Sequence, residues 1–510
     1  MAYGVTNVVV CPGSRNAPLV NDFYELSLAH RMRVFPLTDE RSAAFMAIGL
    51  YLATGQPAAV CVTSGSALLN TLPAVAEAYY RHAPLLIISA DRPPEDIGQL
   101  RGQTLPQPGA LQPYARTWTL AEQDAANAAK TCNEALASLW HCGGTPVHIN
   151  VPLSEPLHVY ASPQFDLPQP VETLLQCAPP IPETVMKRIA EAELPAVFVG
   201  QMDFPHAELL ARIAREHKAA ILSEIIGCGH TAILNLFRCA ASELPHKPDI
   251  VVHLGGTAVD KRYDWIFSDG STPVVRIEPD AAASPDTFGH HATIVHTTPE
   301  QALHQLATLP PKPLVRHLYT EILPAFRAKR VEASRTPFMQ KLHALTARCK
   351  GSVWHLGNSS AVRLFQDTLA DNLPHMHCNR GVNGIEGSLS VAAGHSMGTD
   401  RLVFCILGDL SFFYDSNALW NSNLRGNLRV LLLQNSGGGI FERVRGISES
   451  RAFHLIAARH DASAKGICES FGADYLHVAA GDKNGLTTAF ALLASPPDAR
   501  VRPFVVECSL

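Results

Sequence analysis

The sequence predicts an α/β protein built from three doubly wound parallel sheets. The chain has 510 residues, which corresponds to about three domains of the usual size. Along its whole length, short apolar runs alternate with stretches of helical pattern, the order typical of parallel sheets covered by helices. Two proline-rich stretches, residues 162–184 and 309–313, interrupt this alternation. These breaks divide the chain into three α/β domains.

The proline-rich stretches set the predicted domain boundaries. The first domain comprises residues 1–161, a linker follows at 162–184, and the central and last domains cover 185–309 and 310–510. The strands are predicted from apolar runs that end in polar or glycine-containing turns. They are 8–11, 34–37, 58–62, 85–89 and 147–151 in the first domain, 196–199, 250–254 and 274–277 in the central domain, and 352–356, 402–407, 430–433 and 504–507 in the last.

The composition argues against several classes of protein. A net charge of −5 and the lack of a basic run offer no surface for nucleic acid. No apolar segment reaches the roughly 18 residues of a membrane span, so we expect no stable membrane insertion. The N-terminus lacks the layout of a signal peptide. The 12 cysteines occur singly, most of them in apolar strands, which together with the missing signal predicts reduced thiols and a cytoplasmic protein.

Two turns in the last domain carry oxygen ligands. Asp409 follows Gly408 at the end of one apolar run, and Asn435 follows another, close to Gly437. In an open α/β sheet, ligands collect at the edge where the carboxyl ends of the strands meet. A carboxylate, a carboxamide oxygen and a backbone carbonyl suit Mg²⁺ that also holds a diphosphate. The alternative, from spacing alone, is two ordinary turns in which Asp and Asn cap helices.

A glutamate and three arginines occupy comparable turns. Glu40 lies where an apolar strand meets a helix of small residues, and a carboxylate buried there needs a hydrogen-bond partner or a proton. Helix capping or a local pair with Arg41 is the simpler alternative. Arg15, Arg92 and Arg363 each follow a predicted strand end, and guanidinium forks at one rim would suit a substrate with several carboxylates. Taken singly, each arginine would be a surface residue paired with a neighbouring acid.

A series of motifs runs through nearly the whole chain. They are residues 11–19, 38–41, 62–65 and 89–95, Gln103, residues 107–109, 261–262 and 357–359, Arg363, residues 379–387 and 408–411, and Asn435. Together they resemble one family of thiamine-diphosphate enzymes, the 2-succinyl-5-enolpyruvyl-6-hydroxy-3-cyclohexene-1-carboxylate synthases of the menaquinone pathway. The Gly-Asp motif at 408–409 and Asn435 mark only the cofactor class, whereas the motifs at residues 11–19 and 89–95 are specific to this family. One departure is Gln-Asn-Ser at 434–436, where the family has a run of asparagines, but the ligand position keeps its Asn.

The resemblance implies the fold of thiamine-diphosphate enzymes, in which the first domain binds the aminopyrimidine ring and the last binds the diphosphate and metal. It also implies a homodimer or homotetramer with the active site across the dimer interface. Glu40 would be the catalytic residue, because it would hydrogen-bond the pyrimidine nitrogen N1′. Mg²⁺, or Mn²⁺ in its place, would be held by Asp409, Asn435 and the carbonyl of Gly437. The implied cofactor-binding set is Glu40, Ser64, Gly65, Asn70, Ile385, Gly408, Asp409, Leu410, Ser411, Asn435, Gly437 and Ile440.

The resemblance further implies a transferase that decarboxylates 2-oxoglutarate and adds the resulting carbanion equivalent to isochorismate. The implied substrate-binding set is Ser14, Arg15, Arg92, Gln103, Lys261, Arg262, Ser359, Arg363 and Phe441. Ile440, Phe441 and Val444 would form an apolar wall over the thiazolium ring, and core packing of the following helix is the alternative for all three.

Three other functions compete with this one. Another thiamine-diphosphate carboligase or decarboxylase, of the acetolactate-synthase kind, would act on small neutral acceptors that need no set of arginines. An inactive scaffold of the same fold would not need Glu40, Asp409 and Asn435, all of which are present. A nicotinamide dehydrogenase is weaker still, because no predicted strand is followed by Gly-x-Gly-x-x-Gly.

Overall fold

Three parallel sheets with flanking helices make up the fold, as predicted. In this computed structural model the described residues are 1–120, 125–157, 178–229, 247–260, 267, 269–289, 291–325, 336–366, 373–444 and 446–509. All strand pairs with a described register are parallel. Among these residues, no helix combines the length and the apolar character needed to cross a bilayer.

The first sheet has the strand order β2-β1-β3-β4-β6-β5. Its strands are β1 (Asn7–Val10), β2 (Arg33–Pro36), β3 (Ala58–Val62), β4 (Leu85–Asp91), β5 (Arg116–Thr119) and β6 (Val147–Pro152). Its helices are Ala17–Leu28, Glu40–Thr54, Ser66–Asn70, Leu72–Arg81 and Ala125–Ser138. The chain leaves β1 towards β2 on one side and continues with β3 on the other. A doubly wound sheet opens a crevice for ligands at such a reversal.

The central sheet has the order β11-β10-β9-β7-β8. Its strands are β7 (Pro195–Val199), β8 (Ala220–Ser223), β9 (Ile250–Leu254), β10 (Val274–Ile277) and β11 (Thr293–Val295). The helices of this part are Glu183–Glu191, Ala207–Arg215, Ile225–Cys228, Pro299–Leu306, Pro313–His317 with a π-helical continuation Leu318–Ile322, and Pro337–Arg348.

In the third sheet β12, β14, β15, β17 and β16 follow one another. The strands of this region are β12 (Val353–Leu356), β13 (His377–Cys378), β14 (Val403–Gly408), β15 (Leu428–Gln434), β16 (Asp474–Val478) and β17 (Phe504–Ser509). The helices are Ser360–Gln366, Ser388–Gly398, Asp409–Tyr414, Phe453–Ile456, Lys465–Phe471 and Lys483–Leu493. The apolar runs of β14 and β15 are buried along almost their whole length, which explains why the sequence pattern located them.

The chain forms two compact units. The first unit is Met1–Leu174, Gly351–Ser360 and Gly381–Leu510, and the second is Leu175–Lys350 and Ala361–Arg380. The central sheet lies in the second unit and has its own hydrophobic core. The three predicted domain boundaries stay predictions, and most of the predicted linker falls in residues 158–177, outside the described residues.

Within the first unit, a single core joins the first and third sheets. Helix Glu40–Thr54 is buried from Ser42 to Leu52 and packs on helix Ser388–Gly398, which is buried from Ser388 to Met397. Two glycines permit this packing. A Cβ atom on Gly49 would lie 2.1 Å from the carbonyl oxygen of Val391. A Cβ atom on Gly394 would lie 2.1 Å from the carbonyl oxygen of Met46, so the two backbones touch directly.

We expect Gly49→Ala to destabilise the protein, although alanine favours a helix. The added methyl group meets rigid backbone atoms, and such overpacking costs about 1–3 kcal/mol. Gly466→Ala is the matched control, because Gly466 is also helical and a methyl group added there would have no heavy atom of a neighbouring residue within 4 Å. That control should gain up to about 1 kcal/mol from helix propensity. Thermal unfolding midpoints measure both, and equal midpoints for Gly49→Ala and wild type would contradict the close helix approach.

Candidate active site

The turns after β1 and β3 lie side by side at the carboxyl edge of the first sheet. A Cβ atom on Gly13 would lie 2.3 Å from the Cβ atom of Thr63, so only glycine fits at this position without a shift. The side chain of Asn16 donates from Nδ2 to the carbonyl oxygen of Cys11 at 2.8 Å and is fully buried. The turn that carries Ser14 and Arg15 is therefore fixed against the turn that carries Ser64. Ser14 itself is exposed to solvent at this edge.

Glu40 is the first residue of helix Glu40–Thr54, but it does not cap the helix. Asp39 does so, because its Oδ1 accepts the backbone N–H groups of Arg41 and Ser42 at 2.9 and 3.1 Å. The carboxylate of Glu40 accepts a hydrogen bond from Asn70 Nδ2 at 3.2 Å instead. Glu40 is half-buried and Asn70 is exposed. The capping alternative is thus wrong for Glu40, and a helix N-terminus stabilises the charge of its carboxylate.

Arg41 points away from Glu40 and joins two segments of the first unit. Its Nη1 donates to the carbonyl oxygens of Glu386 and Tyr414, both at 2.9 Å. Its Nη2 lies 3.4 Å from an Asp39 oxygen and 3.7 Å from Asp415 Oδ1. Arg41 therefore anchors the start of helix Glu40–Thr54 to the end of helix Asp409–Tyr414.

The partner of Arg41, Asp415, is a fully buried carboxyl group. It accepts hydrogen bonds from the backbone N–H of Ser390 at 2.7 Å and from the Ser390 hydroxyl at 2.6 Å. Burial raises the pKa of Asp415 to about 7, against the opposing effects of the Ser390 hydrogen bonds and the charge of Arg41. The group therefore holds its proton more tightly in the folded chain than in the unfolded one.

We expect this group to make the protein less stable as pH rises from about 4 to 7, since the unfolded chain loses the proton first in that window. Asp415→Asn lacks this contribution, so its urea midpoint should fall less over the same pH range than that of the wild type. Asp400→Asn is the control, because the Asp400 side chain is 93% exposed and pairs with Arg425 at the surface. Equal pH slopes for wild type and Asp415→Asn would show that Asp415 has an ordinary pKa.

Ser64 and Gly65 are tied to the segment that carries Gln103. The Ser64 hydroxyl donates to the carbonyl oxygen of Gln103 at 2.9 Å, and Gln103 Nε2 donates back to the Ser64 carbonyl oxygen at 3.4 Å. The N–H of Gly65 donates to Gln107 Oε1 at 2.8 Å. Gly65 has φ of 83°, a conformation that suits glycine, and a Cβ atom there would lie 3.3 Å from the Gln103 carbonyl oxygen.

The two arginines of the first sheet differ in their partners. Arg15 is 5% exposed, donates from Nη1 to the carbonyl oxygen of Leu153 at 2.8 Å and pairs with Glu155 at 3.2 Å. Glu155 is 66% exposed, so this pair contributes little to stability. Arg92 has a buried Nε with no hydrogen-bond partner among the described residues. The alternative of a paired surface arginine therefore applies in part to Arg15 and does not apply to Arg92.

At the carboxyl edge of the third sheet, Asp409 is 1% exposed and follows Gly408, the last residue of β14. Its Oδ2 accepts the backbone N–H groups of Asn435 and Gly437 at 3.1 and 2.9 Å, and its Oδ1 accepts the N–H of Leu410 at 2.7 Å. The ends of β14 and β15 are thus joined through one carboxylate, and the two turns predicted to carry oxygen ligands lie next to each other.

The carboxamide of Asn435 completes a cluster of oxygens. Its oxygen faces Asp409 Oδ2 at 3.1 Å and the carbonyl oxygen of Gly437 at 2.7 Å. Its nitrogen lies beside Gly439, where a Cβ atom would come within 2.1 Å of it. In this orientation the amide oxygen meets two other oxygens, whereas turning the carboxamide over gives two hydrogen bonds from its nitrogen. Ligands around Mg²⁺ at about 2.1 Å are about 3 Å apart in an octahedron, so the three groups are close enough to share this ion.

His460 also belongs to this cluster, and the sequence did not indicate it. Its Nε2 lies 3.5 Å from Asp409 Oδ2, and its Nδ1 accepts the N–H of Ala462 at 3.2 Å. Its ring packs edge-to-face on Phe413 at 5.3 Å. Because Nδ1 accepts a hydrogen bond, the neutral ring carries its proton on Nε2, on the side of Asp409. A single histidine far from any motif gives no signal for such a position.

Other predicted cofactor and substrate residues lie in segments that follow strands of the third sheet or contact helix Asp409–Tyr414. The hydroxyl of Ser411 donates to the carbonyl oxygen of Ile385 at 3.0 Å, which ties helix Asp409–Tyr414 to the segment before helix Ser388–Gly398. Ile440 and Phe441 lie in the short 3₁₀ helix Gly439–Arg443, and both are partly exposed, so plain core packing does not describe them. Ser359 follows β12 and has φ of 70°.

Arg363 lies in the second unit, next to an arginine that was not in the predicted set. Its Nη2 donates to the carbonyl oxygen of Val259 at 3.5 Å. Arg380 Nη2 donates to the adjacent carbonyl oxygen, that of Ala258, at 2.7 Å, and burial together with the positive charge of Arg380 lowers the pKa of Arg363. Arg380 lies within the 379–387 motif, and nothing else in the sequence indicated a role for it. Lys261 and Arg262 lie outside the described residues.

The structure thus gathers the predicted residues in three groups. The first-sheet group is Ser14, Arg15, Glu40, Ser64, Gly65, Asn70, Arg92 and Gln103, and the third-sheet group is Ser359, Ile385, Gly408, Asp409, Leu410, Ser411, Asn435, Gly437, Ile440 and Phe441. Arg363 belongs to the second unit. Each of the first two groups lies at the carboxyl ends of its strands, where α/β sheets bind ligands.

The sequence is similar to known proteins, both to one family model and to several full-length enzymes. Residues 1–113 match the profile of the family described as "Thiamine pyrophosphate enzyme, N-terminal TPP binding domain". The chain is 36% identical to the 2-succinyl-5-enolpyruvyl-6-hydroxy-3-cyclohexene-1-carboxylate synthase of Bacteroides thetaiotaomicron, over 99% of this chain and 93% of that protein. The enzymes of the same name from Phocaeicola vulgatus and Desulfotalea psychrophila are 37% and 34% identical, over 99% and 98% of this chain and 93% and 95% of theirs. The similarity therefore spans both sheets that carry the predicted cofactor residues.

Proposed function

The chain belongs to the 2-succinyl-5-enolpyruvyl-6-hydroxy-3-cyclohexene-1-carboxylate synthase family, and from this we propose that it decarboxylates 2-oxoglutarate and adds the product to isochorismate in menaquinone biosynthesis. The observation that carries the proposal is the similarity over 99% of the chain, which includes the arginine-bearing turns as well as the cofactor motifs. Those arginines favour this function over that of an acetolactate-type enzyme, because each of the proposed substrates carries two carboxylates whereas pyruvate carries one.

Thiamine diphosphate, when bound, supplies the electron sink that a 2-oxo acid needs in order to lose CO₂. Glu40 holds the proton at the pyrimidine nitrogen N1′ of the cofactor. Its position at a helix start, next to the Asn70 amide, supports this role, because both neighbours orient the carboxylate. Ser64 and Gly65 lie in the adjoining turn and contribute backbone and hydroxyl groups to the same side of the cofactor.

Mg²⁺ or Mn²⁺ is held by Asp409 Oδ2, the Asn435 carboxamide oxygen and the Gly437 carbonyl oxygen. The Asn435 carboxamide lies 3.1 Å from Asp409 Oδ2 and 2.7 Å from the Gly437 carbonyl oxygen, and this proximity supports the proposal because one divalent cation can reach all three groups. Leu410 and Ser411 lie in the first turn of helix Asp409–Tyr414, whose N-terminal end favours the negative diphosphate. Ile385 and Ile440 supply the apolar surface next to it.

The complete site forms between two subunits, in a homodimer or a homotetramer. Within one chain, Arg41 places the start of helix Glu40–Thr54 beside Tyr414, at the end of helix Asp409–Tyr414 opposite to Asp409. At 1.5 Å per residue, the two ends of this helix are about 8 Å apart along its axis. This arrangement supports a site in which Glu40 of one subunit acts together with Asp409 of another.

The acidic substrates are bound by two groups of residues. Ser14, Arg15, Arg92 and Gln103 line the edge of the first sheet, and the buried Nε of Arg92 offers a donor to a carboxylate. Ser359, Arg363 and Phe441, together with Lys261 and Arg262, form the rest of the proposed set. Preorganised guanidinium groups balance the negative charge that develops on the acceptor during the addition. The ten described cysteines are all free thiols, in keeping with a reaction in the cytoplasm.

One assay tests this function. The purified protein is incubated with thiamine diphosphate, Mg²⁺, 2-oxoglutarate and isochorismate, and both isochorismate loss and CO₂ release are followed. We expect the two to proceed in equal amounts and to stop when either substrate is omitted. Turnover of pyruvate alone would identify an acetolactate-type enzyme, and no turnover with any 2-oxo acid would identify an inactive scaffold.

A further inference from the structure

A buried carboxylate in the second unit has no role in the site described so far. Glu224 directly follows β8 and is 0% exposed. Its Oε2 accepts the backbone N–H of Val259 at 2.7 Å and its Oε1 accepts that of Asp260 at 2.8 Å. The two oxygens of one side chain thus bind two consecutive N–H groups in the turn after β9.

The carbonyl groups of the same turn contact two arginines. Arg380 Nη2 donates to the carbonyl oxygen of Ala258 at 2.7 Å, and Arg363 Nη2 donates to that of Val259 at 3.5 Å. The hydroxyl of Thr257 donates to the carbonyl oxygen of Arg380 at 2.6 Å. The segment 257–260 therefore connects a carboxylate on its N–H side with two guanidinium groups on its carbonyl side.

Electrostatics link the same groups. The positive charges of Arg363 and Arg380 repel each other, while Glu224 and Asp260 offset this repulsion at Arg363. Burial raises the pKa of Glu224 to about 7, and the two backbone hydrogen bonds and the charge of Arg380 favour its ionised form. A buried carboxylate is costly unless it is compensated in this way. Glu224 and Asp260 thus compensate the repulsion between Arg363 and Arg380. Two neighbouring positive charges of this kind favour the binding of an anion.

We propose that Glu224 is a positioning residue that acts through segment 257–260 to hold Arg363 and Arg380 side by side for a carboxylate of an acidic substrate. The inference rests on the proposed function, in which Arg363 binds substrate. Glu224 does not touch the substrate itself. Two parallel guanidinium groups bind a carboxylate with charge-assisted hydrogen bonds, and their geometry depends on the carbonyls that fix them.

Glu224→Gln tests the proposal in the intact holoenzyme. Glutamine keeps the shape but turns an NH₂ group towards one of the two N–H donors, so the turn loses one hydrogen bond and the carboxylate charge. For the substrate bound by Arg363 we expect KM to rise about tenfold or more while kcat changes little, as loss of binding common to ground and transition states predicts. Affinity for thiamine diphosphate and Mg²⁺ should not change, because their proposed ligands lie in the first unit.

A double-mutant cycle separates positioning from a purely structural role. Arg363→Met identifies the substrate concerned by the KM that it raises. If Glu224 acts through Arg363, adding Glu224→Gln to Arg363→Met raises that KM little further, since coupled residues are not additive. Equal increments in both backgrounds would overturn the proposal. If Glu224→Gln fails to fold, Glu224→Asp, which keeps the charge on a shorter side chain, decides the same question.

Asp249→Asn is the matched control. Asp249 Oδ2 accepts two consecutive backbone N–H groups, those of Glu193 at 2.6 Å and Leu194 at 2.8 Å, in the same unit. This variant should leave both KM values unchanged. Unchanged KM values for Glu224→Gln in an active enzyme would overturn the inference alone, whereas a wild-type protein that binds neither acid in calorimetry would overturn the proposed function and the inference with it.

Discussion

Replacing Glu40 with glutamine is expected to reduce turnover by about 10²–10⁴-fold, the usual contribution of a positioned proton-transfer group. Glutamine retains the hydrogen bond to Asn70 but has no carboxylate to hold the proton at the cofactor nitrogen. The helix N-terminus that stabilises the charge of Glu40 remains, so folding should be unaffected. CO₂ release from 2-oxoglutarate at saturating thiamine diphosphate measures the effect.

Glu25→Gln is the control for this substitution. Glu25 lies in helix Ala17–Leu28, has intermediate exposure and belongs to neither predicted set. It should leave turnover and thermal stability unchanged. Full activity of Glu40→Gln would refute the catalytic role of Glu40. The cofactor class would then be tested by the Asp409 variants alone.

Asp409→Asn is expected to weaken Mg²⁺-dependent binding of thiamine diphosphate by about 100-fold or more, because Asp409 provides the only charge among the three oxygens. Calorimetric titration of the cofactor at several Mg²⁺ concentrations measures this loss. Asp400→Asn, at an exposed position in the same unit, should bind the cofactor like the wild type. Unchanged cofactor affinity in Asp409→Asn would rule out the metal site.

The stability of Asp409 variants separates metal binding from structure. Asp409 Oδ2 also accepts the N–H groups of Asn435 and Gly437. Asp409→Ala leaves both donors without this acceptor, at a cost of about 1–3 kcal/mol for each buried group. Asp409→Asn retains one acceptor oxygen, so it should unfold at a higher temperature than Asp409→Ala while binding metal equally poorly.

The fold could be predicted where strands are buried on both faces. The run 402–407 differs from β14 by one position at each end, since every residue there is apolar or glycine. Apart from β2, the strands at sheet edges escaped the prediction. β5 and β16 are the outermost strands of their sheets and are only partly buried, so their sequences mix polar and apolar residues. The alternation of apolar and polar residues in such strands is too irregular to recognise in one sequence.

The sequence predicted which site residues lie together where each of them directly follows a recognisable strand. Asp409 and Asn435 are found together because both follow neighbouring parallel strands. Contacts between distant segments were not predictable. Arg41 pairs with Asp415, and His460 reaches Asp409, although no local pattern relates these positions. Glu40 was placed correctly at a strand-to-helix turn, but only the structure shows that Asp39 is the cap and that Asn70 is the partner of Glu40.

The shared core of the first unit has a consequence for synthesis on the ribosome. Helix Glu40–Thr54 emerges early, whereas its packing partner Ser388–Gly398 is translated only after the whole second unit. At 5–20 residues per second, the delay is roughly 20 to 70 seconds. During that time the apolar side of the early helix, from Ser42 to Leu52, has not met its partner. The nascent chain is therefore open to chaperones over this interval, and a chain truncated after the second unit would expose the same surface permanently.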